Sequence, residues 1–560
     1  MSTFHEKVVY QIYPKSFKDS NGDGVGDLKG IIEKVPYLAD LGVDVLWINP
    51  FFISPQKDNG YDIANYVEID PLFGTMEDFE ELIDVTTEYK LEIMLDMVLN
   101  HTSIDHEWFQ RALKGEKKYQ DYYILREPKA DGSHPTNWVS KFGGPAWAPF
   151  ADTGKEYLHL YDVSQADLNW RNPEVRDEVF NVVNFWIDKG VKGFRFDVIN
   201  VVGKEEELVD AADGVGKSLY TDRPIAHEFI HEMNQKTFGK QPNMMTVGEM
   251  SSTTIENGIA YSNPEKQELS MVFSFHHLKV DYLDGEKWSK MPFDFMELKE
   301  LLNNWQEGMS KGNGWNALFW SNHDQPRAIN RFGDPVNYFE ASSKMLAQTI
   351  HLLRGTPYVY QGEEIGMKNP EFQEITDYVD VETQNAYKEL QANGLPHEEI
   401  MEIIKEKSRD NSRTPMQWIA ERNAGFTTGE PWIKVAENYH EINVAKERKE
   451  GTIFNFYKKL IQLRKEMLVI SEGNYRGILM EHPSVYGYVR EHEGEQLLVL
   501  NHFYPESVII EIPEEFLARS SSYLIGNGEK KALTAKLELG PYETIAFHFE
   551  ADDKKETDKL

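Results

Sequence analysis

The run Gly193-Phe194-Arg195-Phe196-Asp197 places an arginine and a carboxylate two positions apart at the end of a short apolar segment. On an extended strand, residues two apart face the same side, so the guanidinium can hold the carboxylate ionised and oriented, as a nucleophile requires. A structural Arg–Asp pair has the same spelling, so the reading depends on what else shares the cleft. Two other segments end in acids, Thr246-Val247-Gly248-Glu249 and Ser321-Asn322-His323-Asp324. Two carboxyl groups in one cleft suit glycoside hydrolysis, one as nucleophile and the other as acid and base, and a third can steady the transition state. Asp19, Asn21, Asp23 and Asp27, with Gly24 for a sharp turn and the Val25 carbonyl, spell a different chemistry: they follow the order of an EF-hand-type calcium loop. Gly30 stands where that loop has its bidentate glutamate. Any ion there is therefore expected to be structural, Ca²⁺ before Mg²⁺, and the alternative is an Asx-rich turn without metal.

Acids this far apart in the chain meet only if the fold gathers strand ends. Apolar, β-branched runs at 8–13, 43–49, 92–98, 193–198, 244–249, 269–275, 316–321 and 356–360 read as eight strands. Helical periods at 31–41, 76–90, 173–189 and 452–468 alternate with them. The simplest closure is an α/β fold, a (β/α)8 TIM barrel, with function at the strands' C-terminal ends. Residues 1–101 and 171–474 are assigned to the barrel, interrupted by a lobe rich in Trp, Tyr, Gly and Pro at 102–170 and a charged helical insertion at about 365–450. From 475 to 560 the period becomes two, as in an antiparallel β domain. The closing Ala551–Leu560 run is expected to be a solvated tail.

Composition narrows the function. A formal charge of −34, from 59 basic and 93 acidic residues, argues against nucleic-acid or anionic-membrane partners. An anionic substrate would need a local basic patch. The absence of cysteine excludes disulfides and thiolate metal sites and suits a reducing compartment. No signal-peptide pattern opens the chain and no run of 18 apolar residues follows, so a soluble, cytoplasmic protein is expected, with a monomer plausible.

Asp96-Met97-Val98-Leu99-Asn100-His101, Gly193 to Asp197, Gly248-Glu249 and Asn322-His323-Asp324, in this order and spacing, resemble the four signature stretches of the α-amylase superfamily. Gln165-Ala166-Asp167-Leu168-Asn169 is similar to the fifth stretch in its oligo-1,6-glucosidase branch, and Val198 after the nucleophile also resembles that branch. The resemblance implies Asp197 as nucleophile, Glu249 as general acid/base and Asp324 as transition-state stabiliser, with no cofactor for the chemistry. It also implies that Arg195, His101 and His323 surround the bound ring and that Tyr61 stacks on it. Asp62 and Arg413 would grip a far hydroxyl and close the pocket, so that one terminal glucosyl unit is released; a structural salt bridge between them is the alternative.

The distinctive stretch is Phe273 to Trp288, where an acidic chain concentrates His276, His277, Lys279 and Lys287 beyond the sixth strand. A phosphate group on the substrate would account for that reversal of sign. The alternative is that Lys279 and Lys287 pair with Asp281 and Glu286. With Val247–Thr254, Gln361–Glu364 and Ser408–Pro415, this stretch resembles the branch of the family that acts on phosphorylated trehalose. The expected partner is thus a small phosphorylated disaccharide, cut at its α,α-1,1 linkage to glucose and glucose 6-phosphate. The rivals are an oligo-1,6-glucosidase acting on neutral isomaltose-type ends, a glucosyl transferase, and the non-catalytic amylase-like transporter subunits, which lose the carboxylate set and carry a membrane anchor.

Overall fold

The computed structural model describes residues 4–551, so the charged run after Ala551 lies outside it. Eight parallel strands form one sheet: β1 (Val9–Ile12), β2 (Val45–Ile48), β3 (Glu92–Met97), β4 (Gly193–Phe196), β5 (Met245–Glu249), β6 (Met271–Phe273), β7 (Ala317–Leu318) and β8 (Thr356–Tyr360). Neighbours follow chain order, and β8 returns to β1 with Val9 opposite Tyr358. A parallel bridge from Val272 to Asn316 joins β6 to β7 and closes the barrel. These strands are almost entirely buried, which is why their sequences read as continuous apolar runs. The strands expected at 269–275 and 316–321 are shorter than their apolar runs. After Phe273 and Leu318 the chain leaves the ladder to form the loops of the barrel mouth.

Local signals set the helices that wrap this sheet. Leu28–Leu41 begins where the Asp27 carboxylate accepts from the Gly30 N–H, and ends at Gly42 in the left-handed region (φ 97°). Thr75 and Asp78 form a reciprocal capping box at Met76–Glu88, and Asn172 with Pro173 starts Pro173–Asp188.

Past β3 the chain makes its lobe, in which Leu125–Arg126, Glu156–Leu158 and Trp147–Pro149 form a small sheet and Gln165–Asp167 pairs antiparallel with His101–Ser103. The lobe's apolar cluster of Ile124, Trp138, Trp147, Leu158 and Leu160 continues into Val198, Val201 and Tyr220. The lobe is therefore packed on the segment that leaves the end of β4. Between β8 and Ile453–Glu466 lie the helices Val381–Ala392, His397–Lys407 and Val444–Glu450 among turns. A five-stranded antiparallel sheet follows: Asn474–Ile478, Val485–His492, Glu495–His502, Thr544–Phe549 and Ser522–Gly526 in spatial order. It seats on the barrel through the Tyr488 hydroxyl and the Arg490 guanidinium, which donate to the Thr349 and Leu352 carbonyls at 2.8 and 2.7 Å. Among the described residues no helix is long and apolar enough to cross a membrane.

Candidate active site

Arg195 is the hub of the barrel mouth. It lies on β4 at 1 % exposure, and its Nη1 donates to Asp197 Oδ1 at 2.7 Å and to Asp96 Oδ1 at 2.8 Å. Its Nη2 also meets Glu249 Oε2 at the end of β5. Two acids expected to share a cleft, 52 positions apart in the chain, thus touch one guanidinium. Asp96, on β3, is held further by the Tyr61 hydroxyl at 2.7 Å and the Trp47 indole N–H at 3.1 Å. Directly after Asp197, Val198 takes a left-handed conformation (φ 38°, ψ 39°) that a β-branched side chain rarely adopts. Such backbone strain collects at functional sites, and here it turns the chain away as soon as the carboxylate has been delivered.

Burial pushes the Asp197 carboxyl up to about 7; Arg195 pulls it back, while Asp96 and Asp324 add to the rise. The neighbouring Asp324 goes the other way. Burial raises it too, but His323, Arg409, Arg413 and Arg195 hold it well below the usual carboxylate range. Because burial brings His323 down to about 3 and keeps it neutral, the arginines carry that effect near neutral pH. Arg413 Nη2 donates to Asp324 Oδ1 at 2.7 Å, and its Nε donates to the His323 carbonyl at 2.8 Å.

The His323 ring stacks parallel to Tyr61 with centroids 5.2 Å apart. Its Nδ1 faces the Gln11 amide at 2.9 Å, which leaves Nε2 as the N–H, buried and without a hydrogen bond among the described residues, Asp324 Oδ2 lying 3.3 Å away without accepting one. That is a donor waiting for a hydroxyl. His101 differs, since both its ring nitrogens meet protein groups: Nε2 the Tyr61 carbonyl at 3.1 Å and Nδ1 the Asn100 amide at 3.2 Å. Burial lowers it to about 4, so it is a neutral positioning group.

Several expectations need correction. The salt bridge between Asp62 and Arg413, the alternative to their gripping a hydroxyl, is absent among the described residues: Asp62 turns inward and accepts from the Ser54 hydroxyl and from the Lys57 and Asp58 N–H groups at 2.9–3.0 Å. Arg409 shares Asp324 and Asp380 with Arg413 and reaches Asp380 at 2.6 Å, Glu382 at 3.1 Å, Asp324 at 3.4 Å and Asp58 at 3.6 Å. The expected basic group beyond β6 does not gather either. His276 and His277 bond through Nε2 to the Thr253 and Phe319 carbonyls at 2.8 and 2.9 Å, and Lys287 is neutralised by Glu382 at 2.8 Å. Of the two lysines only Lys279 stands without an ion pair among the described residues. The alternative pairings are absent as well, because Asp281 is taken by Arg331 at 2.7 Å and Lys407 at 3.0 Å.

In the Asp19–Asp27 loop the acids face the backbone. Asp19 accepts from the N–H groups of Asn21, Gly22 and Gly24 and from the Thr427 hydroxyl, Asp27 from those of Ser20 and Gly30, and the Asn21 and Asp23 side chains from Asp23 and Val25. Among the described residues no group of three or more His, Cys, Asp or Glu is placed to hold a metal. The oxygen-bearing side chains and the Val25 carbonyl keep their loop order, and on that order alone the donor set suits a hard cation.

Sequence reasoning passed over Asp58, Arg409 and Asp380. Arg409 had one signal, its place four residues before Arg413 in a stretch already singled out; Asp58 and Asp380 come from turns with no periodicity to place them.

The catalytic-domain model of α-amylases matches residues 11–473, and the C-terminal domain model of the α-amylase SusG matches 485–546. The trehalose-6-phosphate hydrolase of Bacillus subtilis is 52 % identical over 96 % of this chain and 97 % of its own. An oligo-1,6-glucosidase of Bacillus cereus is 46 % identical over 97 % and 98 %. The crystal structure of the Bacillus licheniformis trehalose-6-phosphate hydrolase superposes with a TM-score of 0.95 at 50 % identity, covering 98 % of this chain and all of that one. With a barrel closed in chain order and its acids gathered at the strand ends, this chain belongs to the α-amylase family.

Proposed function

We propose that the chain is a retaining, exo-acting α-glucosidase that hydrolyses trehalose 6-phosphate to glucose and glucose 6-phosphate. The observation that carries the chemistry is the Arg195 guanidinium in contact with both Asp197 and Glu249. Two carboxyl groups held on one guanidinium can flank one glycosidic bond, which supports the retaining mechanism over one that needs room for a water between them. The ionised Asp197 attacks the anomeric carbon while Glu249 gives its proton to the departing glycosidic oxygen. The products of this step are free glucose 6-phosphate and a glucosyl ester on Asp197. Glu249, now a carboxylate, takes a proton from water, and that water displaces Asp197 to release glucose. Asp324, held ionised by Arg413 and Arg409, and the unpartnered His323 N–H grip hydroxyls of the ring at the subsite. The Arg409 cluster walls off the far end of this subsite, which supports release of one terminal unit.

The phosphorylated substrate is supported by the two hydrolases of that name at 50–52 % identity over nearly the whole chain. Comparison of kcat/KM for trehalose 6-phosphate, trehalose and isomaltose tests it. Preference for trehalose 6-phosphate with formation of glucose 6-phosphate is expected; preference for isomaltose would instead make the chain an oligo-1,6-glucosidase. Two lesser readings accompany the proposal. Work in the cytoplasm is supported by the lack of cysteine. A structural Ca²⁺ in the Asp19–Asp27 loop is supported by the order of oxygen donors, and a melting temperature indifferent to chelator and to added Ca²⁺ overturns it.

A further inference from the structure

Three lysines from separate segments converge beside Glu249. Lys141 comes from the lobe, Lys217 from the short turn Lys217–Leu219 after β4, and Lys279 from just after the turn His276–Leu278 that follows β6. Specific contacts hold the segments together. The Val139 N–H donates to the Val215 carbonyl at 3.1 Å, and the Trp138 indole donates to the Val209 carbonyl at 2.9 Å. Gly216 has φ 91°, and a Cβ there would lie 2.5 Å from the Trp138 ring, so only glycine lets the Lys217 turn close on the lobe. The Lys141 ammonium meets the Ser251 hydroxyl and lies 5.7 Å from the ring centroids of both Tyr161 and Tyr220. On the β6 side, the His276 bond to the Thr253 carbonyl fixes the Lys279 loop against the same 251–254 strip.

None of the three lysines makes an ion pair among the described residues, in a chain with 59 basic and 93 acidic residues. Half-buried and buried lysines nearby are neutralised: Lys204 by Asp167 at 2.6 Å, Lys287 by Glu382 at 2.8 Å and Lys407 by Asp281 at 3.0 Å. The unpaired three repel one another. Burial, then the charges of Lys217 and Lys279, bring Lys141 down to about 7. Like charges gathered without a counter-charge raise the energy of the protein alone, and a bound anion relieves it.

The position of the cluster selects the anion. Ser251 lies two residues beyond Glu249 and is fixed by its N–H bond to Asn200 Oδ1 at 3.0 Å. Tyr161, which Lys141 overlies, lies with its ring centroid 5.4 Å from that of His101 and tilted to it, on the wall of the mouth. The Arg409 cluster closes the other side, so the sugar that leaves with the proton from Glu249 must extend toward Ser251 and the lysines. Lysines serve as point-charge ligands of phosphate, whose orientation they leave free. We propose that Lys141, Lys217 and Lys279, with the Ser251 hydroxyl, seat the 6-phosphate of the departing glucose unit. This rests on the reading of the substrate as trehalose 6-phosphate.

The experiment uses the full-length enzyme and its Lys217→Ala, Lys279→Ala and doubly substituted forms, with trehalose 6-phosphate, trehalose and a neutral aryl α-glucoside as substrates. Wild-type enzyme that does not prefer trehalose 6-phosphate to trehalose overturns the substrate reading itself, whatever the variants do. Given that preference, each single substitution lowers the ratio of kcat/KM for trehalose 6-phosphate to that for the aryl glucoside about tenfold, mainly through KM, and the double form lowers it about a hundredfold. Equal losses on both substrates overturn the phosphate seat and leave the lysines structural. A second reading is inhibition of aryl-glucoside hydrolysis by glucose 6-phosphate. It weakens about tenfold in each single variant, and inhibition as strong as in the wild type overturns the seat while the substrate assignment stands. Lys279 is exposed and Lys217 half-buried, so both side chains can be shortened without opening the core.

Discussion

On the Arg195 side of the mouth Asp96, Asp197, Asp324 and Asp380 each have a guanidinium within hydrogen-bonding distance, whereas on the Lys141 side three lysines stand together with no ion pair among the described residues. The first arrangement is complete before substrate arrives: Asp96 and Asp197 on Arg195, Asp324 on Arg413, Asp380 on Arg409. It can fix the direction and protonation of the reacting groups because nothing in it must reorganise during the reaction. The second lacks a counter-charge that the ligand can bring. Charge balance thus separates the part of the mouth that performs the chemistry from the part that chooses the substrate, and substitutions on the two sides should fail in different ways.

The largest failure is expected at the nucleophile. Asp197→Asn keeps the shape of the side chain but cannot form the glucosyl ester, and kcat should fall about 10⁴-fold or more on phosphorylated and neutral substrates alike, as measured by steady-state rates. Glucosyl transfer to water at near wild-type rate would remove Asp197 from the mechanism. Next comes the hub. Arg195→Met leaves Asp96 and Asp197 buried without their cation, which costs about 3–5 kcal/mol of stability, read as a lower denaturation midpoint. The same change should move the acidic limb of kcat/KM upward in pH. The sign follows from the charges: Asp197 works ionised, burial has already raised it to about 7, and removal of the guanidinium that opposes this raises it further. In the unmodified enzyme kcat/KM should therefore fall about tenfold per pH unit below about 7, and a limb near pH 4 would contradict the burial argument. Asp380→Ala has a smaller reach. It strips Arg409 of its 2.6 Å partner without touching Arg195, so we expect KM to rise about tenfold for every substrate with kcat changed less.

Which parts of this were legible beforehand depends on the range of the interaction. The barrel was, because its strands are buried on both faces and spell mostly apolar runs, as in Pro357 to Tyr360. The Arg195–Asp197 contact was also legible, since period-two geometry alone puts the two side chains together. Convergence of Glu249 on that arginine needed the barrel as an intermediate step. The pairing of Arg409 with Asp380 could not be read, as the two sit just outside the insertion's helices, where proximity in space leaves no trace in the order of residues. Lys141 and Lys217 escaped notice for a related reason. Each is a single cation in a loop, and its meaning appears only when three loops meet. The run His276 to Lys287 drew attention because its charges are dense in sequence, yet the fold spends most of them on carbonyls and on Glu382.

Lys287 makes the smallest and sharpest test of that distinction. It lies in the same stretch beyond β6 as Lys279, and charge counting treats the two alike. Both carboxylate oxygens of Glu382 lie 2.8 Å from its ammonium, its side chain is 21 % exposed, and it rests 4.9 Å from the Trp288 ring centroid. A partly exposed pair of this kind contributes about 0–1 kcal/mol, and its cation is already spoken for. Lys287→Ala should thus change the preference for trehalose 6-phosphate over an aryl α-glucoside by less than about twofold. A loss as large as that expected for Lys279→Ala would mean that Glu382 releases Lys287 to the substrate, and that paired and unpaired lysines in this mouth do not differ in function.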